Sequence, residues 1–153
     1  MANYCDFNMR IEGSDQSIKK LLSLMQVPQS RLNVGSSISV TSSFYRTYEA
    51  LLYLSDETSL WIDGYCAWSV HLCFIDEHST WGINLVSISK ELNLEITIKS
   101  LELGCGFSEH YVIKNGEIVT DTCEDIDYCY FYDENGEFIE EREAEYEAYL
   151  NIE

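Results

Sequence analysis

The sequence predicts an α+β domain, an antiparallel sheet carrying two helices on one face. Three observations predict it. Segments of strand and helix periodicity follow one another in the order β-α-β-β-α-β, the split βαβ pattern. An Asn115-Gly116 pair stands between two β-prone runs, the strongest short-range hairpin signal. The chain of 153 residues is 46% hydrophobic and 13% aromatic with a single proline, enough apolar material for one real core and too much for a disordered segment.

The elements follow in order. Over residues 4–12, Cys5, Phe7, Met9 and Ile11 alternate with Asp6, Asn8, Arg10 and Glu12, the period of a half-buried strand. Gly13 ends it, Ser14 or Asp15 can cap a helix, and Ile18, Leu21, Leu22 and Met25 recur at helical spacing over 15–26. Pro28 closes that region. The polar, β-prone stretch 36–43 predicts a strand and a turn, and 48–54 fits either a short helix or a buried strand. Residues 60–67 resume strand character. Ile83, Val86, Ile88 and Leu92 predict a second helix over 81–92, and Leu94, Ile96, Ile98 and Leu101 a strand over 94–103. The Asn115-Gly116 hairpin follows, with its two positive-φ positions. The run 128–132 is again β-prone. Glu140 to Leu150 reads as an acidic amphipathic helix with Tyr146, Tyr149 and Leu150 on one face. The expected architecture is therefore a single ferredoxin-like domain. Residues 1–105 form its core, and 106–153 an acidic hairpin-and-helix extension.

Charge is the outlying property. Twenty-seven acids against nine bases give a net charge of −18. Residues 117–153 hold fourteen of the acids and one base, Arg142. Such a field repels nucleic acid and anionic membranes and attracts basic protein surfaces. No apolar window reaches the roughly 18 residues of a membrane span, and no basic, then apolar, leader opens the chain. A cytoplasmic location in a bacterial host cell is expected, where six cysteines read as free thiols or metal ligands rather than disulfides.

Four short motifs carry a family resemblance. Ala2-Asn3-Tyr4-Cys5, Ala67-Trp68-Ser69, Gly104-Cys105-Gly106-Phe107 and Asn115-Gly116-Glu117 occur in this order. Together they resemble the ferredoxin-like, YubB-type family of small proteins from phages, plasmids and other mobile elements, over roughly residues 1–122. The family usually has Trp where Tyr4 stands and prolines after the Trp-Ser, where this chain has Val70 and His71. The resemblance implies a fold and a mobile-element setting and no enzyme activity.

No nucleophile elbow, zincin, P-loop or Rossmann motif is present. Gly104-Cys105-Gly106 lacks the helix-opening context of a phosphate cradle and reads as a tight turn. Cys105 and His110 are the pair that thiol chemistry would need, without an identifiable orienting group. Zinc is the cofactor the residue types suggest. Cys66, His71, Cys73 and His78 place four soft ligands within a short span, and Cys5, Cys105, His110 and Cys123 form an alternate set. In both cases the plainer reading is core packing, since cysteine is among the most buried residue types. Trp61, Trp68 and Trp81 with Tyr128, Tyr130 and Tyr132 suggest base stacking, but acids rather than bases neighbour the tyrosines, which disfavours RNA.

The expectation that follows is a non-enzymatic inhibitor of anti-CRISPR or antirestriction type. Its acidic surface would compete with DNA or RNA for a basic nucleic-acid-binding protein such as a CRISPR effector nuclease. Glu137, Glu140, Glu141, Glu143, Glu145 and Glu147 would supply the charge, with Tyr146 and Tyr149 as anchors. The alternative is an accessory module binding a metal or small ligand, its acidity serving only solubility.

Overall fold

The structure, a computed structural model, describes residues 3–40, 44–77 and 82–152. Its strands are β1 (Tyr4–Glu12), β2 (Ser37–Val40), β3 (Thr47–Asp56), β4 (Ser59–Ala67), β5 (Glu95–Glu102), β6 (Phe107–Lys114) and β7 (Glu117–Asp125). Its α-helical segments are α1 (Asp15–Leu24), α2 (Leu85–Leu92), α3 (Tyr128–Phe131) and α4 (Glu143–Ala148). The strands form one seven-stranded antiparallel sheet in the order β2-β3-β4-β1-β5-β6-β7. The fold is α+β. No helix among the described residues is long and apolar enough to cross a membrane.

β1 lies at the centre, and the alternation read from its sequence sorts the sheet's two faces. Cys5, Phe7, Met9 and Ile11 are buried on the front face, against Ile18, Leu21 and Leu22 of α1 and Leu85, Ile88 and Leu92 of α2. Phe74 bridges Phe7 and Phe44 edge-on, with ring centroids 4.9 and 5.0 Å apart. Both helices start where short polar side chains can cap them. The Ser14 hydroxyl accepts from the Ser17 N–H, and the Asn84 side chain accepts from the N–H groups of Val86 and Ser87. The latter cap explains why the second helix begins at Leu85 instead of Trp81, which lies outside the described residues.

The ambiguous run 48–54 is strand, the middle of β3. Gly64 of β4 makes that pairing possible, because a Cβ there would sit 1.9 Å from the Glu49 carbonyl oxygen. Asn115 and Gly116 adopt φ of +50° and +80° and join β6 to β7 as the sequence predicts. β6 and β7 continue the same sheet, so the expected core and extension share a backbone ladder on either side of residue 105.

Two expectations fail after residue 125. The β-prone run at 128–132 is helical at Tyr128–Phe131, because Asp127 caps it by accepting from the Cys129 N–H. The C-terminal helix is shorter than expected, a 3₁₀ turn at Glu140–Arg142 leading into α4.

Candidate partner-binding surface

The chain after β7 folds back over the rear of the sheet as a small lobe. Its interior is Phe131, Ile126 and Leu101, packed round by Leu103, Tyr132, Phe138, Tyr146, Tyr149 and Leu150. Phe131 meets Tyr146 and Tyr149 edge-on at 5.7 and 6.2 Å. The outward residues of β1 and β5 hold the lobe in place. Asn8 Nδ2 donates to the Leu150 carbonyl at 2.8 Å, Lys99 Nζ to that of Ala148 at 3.4 Å, and the Tyr146 hydroxyl to the Asp6 carboxylate at 3.2 Å.

The predicted shared face of Tyr146, Tyr149 and Leu150 exists, but it points inward. Neither tyrosine is a free anchor, because both are spent on seating the lobe. Their burial pushes both phenols up, Tyr146 to about 12.

The acids take the opposite side. Every carboxylate from Glu117 to Glu147 is exposed. Glu137, Glu140, Glu141, Glu143, Glu145 and Glu147 all face solvent, and Glu145 also accepts from the Tyr130 hydroxyl. Among the described residues, the ion pairs are Arg10–Glu12 at 2.9 Å and Lys114–Glu95 at 3.4 Å, and none involves these carboxylates. Arg142, the lone base of the segment, lies over the Tyr130 ring at 3.9 Å and donates to the Tyr130 carbonyl. On β7 the pleat divides the charge. Asp121 and Asp125 pair with Tyr111 and Phe107, and Glu124 pairs with Ser108 on the other face. Glu124 therefore stands beside the lobe, next to Glu145 and Tyr149, while Asp121 and Asp125 lie on the opposite face.

The comparisons found no matching family model, no matching curated protein and no matching solved structure.

The cysteine and histidine sets disperse in an instructive way. Cys5 and Cys66 are cross-strand partners in β1 and β4, and Cys73 joins them from the π-helical turn His71–Ile75. All three are buried. Hydrogen bonds to Cys5 and Cys73, followed by burial, push the Cys66 thiol far up. The structure thus mixes the two predicted sets: it takes Cys66 and Cys73 from one and Cys5 from the other. His78 lies outside the described residues. His71 turns its ring toward Tyr111, with centroids 6.0 Å apart. In the alternate set, Cys105 is exposed in the β5–β6 loop, where Asn3 Nδ2 donates to its sulfur at 3.2 Å. Cys123 and His110 project to opposite faces, since Cys123 pairs with Glu109 and His110 with Thr122. Burial and then Lys99 hold the His110 imidazole below its usual value. Among the described residues no group of three or more His, Cys, Asp or Glu side chains is arranged around a metal position.

The Gly104-Cys105-Gly106 turn has its anion position filled from within. The buried Glu102 carboxylate accepts from the N–H groups of Gly104 and Cys105 at 2.6 and 2.8 Å. Sequence reasoning missed a second internal carboxylate, Glu109. Only 4% exposed, it accepts from the N–H groups of Val70 and His71 and the hydroxyls of Ser100 and Tyr111. It ties the π-helical turn to β5 and β6. The one available signal was an acid at an inward position of the strand Phe107–Lys114.

Proposed function

We propose that this chain is a non-catalytic binding protein whose acidic C-terminal lobe occupies the nucleic-acid channel of a basic DNA- or RNA-handling protein. The concrete form is an anti-CRISPR or antirestriction inhibitor, in keeping with the mobile-element setting that the YubB-type resemblance implies. The single observation behind it is a packed lobe whose described carboxylates are all exposed, none of them in an ion pair among the described residues. A loose acidic tail would serve solubility equally well. A lobe seated by a second apolar core and three tethers to the sheet holds its charges in a fixed pattern, as competition with a phosphate backbone requires.

We further read β3-β4-β1-β5 with α1 and α2 as a split βαβ unit of ferredoxin-like type, extended at one edge by β2 and at the other by β6 and β7. The position of β1 between β4 and β5 supports that reading. The unit serves as a platform, its front closed by helices and its rear carrying the lobe.

The test is neutralisation of outward charge without touching the tethers. Glu137, Glu140, Glu141, Glu143 and Glu147 change to Gln together, and Glu145 stays because it holds Tyr130. Association with a CRISPR or restriction effector should slow and lose most of its salt dependence. Unchanged inhibition of every effector that the parent protein inhibits would end the proposal.

A further inference from the structure

The lobe covers only part of the rear of the sheet. Over β3, β4 and the start of β1 that face is exposed among the described residues and carries packed tyrosines. The ring of Tyr4 lies 5.2 Å from those of Tyr48 and Tyr65, and Tyr48 and Tyr65 are 6.3 Å apart. Tyr4 is 61% exposed and Tyr48 42%. The register explains the grouping. Tyr4 pairs with Ala67, Tyr65 pairs with Asp6, and a register shift between Thr47 and Glu49 brings Tyr48 to the same side. The Glu49 carboxylate stands near the Tyr65 hydroxyl and holds that phenol above its usual value. Asp6, which holds Tyr146, makes the cluster continuous with the acidic lobe.

Trp68 adds a second observation at the same end of the sheet. It is 38% exposed, its N–H donates to the Asn3 carbonyl at 2.9 Å, and its φ is +69°. A bulky residue in the left-handed region is strained, and such strain gathers at binding sites. This exposed indole directly follows Ala67, the strand partner of Tyr4.

We propose that the Tyr4–Tyr48–Tyr65 cluster with Glu49 is the anchor for an arginine of the basic protein partner, the guanidinium lying over a tyrosine face and bonding to the carboxylate. The proposal rests on the acidic-partner reading above and supplies the aromatic anchor that Tyr146 and Tyr149 do not. A guanidinium is planar and weakly hydrated, so it stacks on aromatic faces better than an ammonium. The chain already uses the contact twice, with Arg10 over Trp61 at 5.6 Å and Arg142 over Tyr130 at 3.9 Å. Charge complementarity selects the occupant: a second copy would bring another −18, and a nucleic acid would bring phosphates toward the same field.

Fluorescence anisotropy with labelled oligo-arginine and oligo-lysine peptides of equal length tests it. The unmodified protein should favour the arginine peptide by up to about fivefold for each guanidinium engaged, the full worth of an exposed cation–π contact, part of which an ammonium also gains. The Tyr4→Leu/Tyr48→Leu double variant should lose that preference and keep its affinity for the lysine peptide. Glu49→Gln, which leaves the rings in place, should weaken arginine binding alone. The Gln-substituted lobe should bind both peptides more weakly with the arginine preference intact. No arginine preference in the unmodified protein, or one that survives the double variant, overturns the anchor and leaves the acidic-lobe reading standing. If the Gln-substituted lobe binds as tightly as the parent while the double variant loses its preference, the lobe reading falls and the anchor holds. Binding of oligothymidylate, or self-association in sedimentation, that disappears in the double variant would reassign the cluster to base stacking or to a second copy.

Discussion

Replacing Glu109 by leucine leaves four donors without their acceptor, two of them backbone N–H groups that cannot turn away. Val70 and Ser100 are fully buried and Tyr111 nearly so. An orphaned buried donor costs about 1–3 kcal/mol. The two hydroxyls can rotate toward other acceptors and water can reach the exposed His71, so the loss rests mainly on the Val70 N–H and comes to about 2 kcal/mol. For a domain of this size that lowers Tm by about 4–8 °C. Glu109→Gln keeps one acceptor oxygen but sets an amide N–H against one of the two backbone donors, and should cost about 1–2 kcal/mol. Urea unfolding followed by tryptophan fluorescence measures both, with equal m-values required for the comparison. If the leucine variant lies within about 0.5 kcal/mol of the parent, the size of an ordinary surface substitution, the four hydrogen bonds do not fasten the π-helical turn as argued.

Other outcomes follow from the same contacts. Gly64→Ala should cost about 1–3 kcal/mol through overpacking of β3 against β4, and circular dichroism on heating would show it. In the native protein a thiol reagent should label Cys105, Cys123 and Cys129 promptly, with Cys5, Cys66 and Cys73 reacting only after unfolding. Burial raises the Asp6 and Asp63 carboxyls in the folded protein. The folded state therefore holds their protons more tightly than the unfolded chain, and their contribution to stability grows as pH falls through the raised values and is lost as pH rises through them. Asp63→Asn should flatten that part of the profile in pH-dependent unfolding. Added salt should raise Tm, because it screens repulsion among the unpaired carboxylates, while it weakens binding to a basic partner.

How much of this was legible depended on whether the deciding contacts were local. The alternation in Tyr4–Glu12, the Ser14 cap and the Asn115-Gly116 turn are local, and the structure has each of them. The run at Tyr128–Tyr132 misled because its aromatic residues carry β propensity. Asp127 and the packing of Phe131 under Tyr146 overrode that propensity from residues before and far after it. The inward turn of Tyr146 and Tyr149 was half-visible: periodicity put them on one face, but only the tethers from Asp6, Asn8 and Lys99 decide what that face meets. The tyrosine cluster lay hidden because it draws on β1, β3 and β4, and one of its members is placed by a register shift. Cysteine spacing likewise said nothing of the cross-strand pairing that sets Cys5 against Cys66.

The central claim is that exposed, unpaired charge on a seated lobe is what a basic partner reads. The most direct measurement is association kinetics between the protein and a CRISPR or restriction effector that it inhibits, followed against ionic strength for the parent and for the Gln-substituted lobe. The account requires a steep fall of the association rate with salt in the parent and a much shallower one in the variant, with unfolding midpoints showing both folded. Parallel salt dependences and equal inhibition would contradict it.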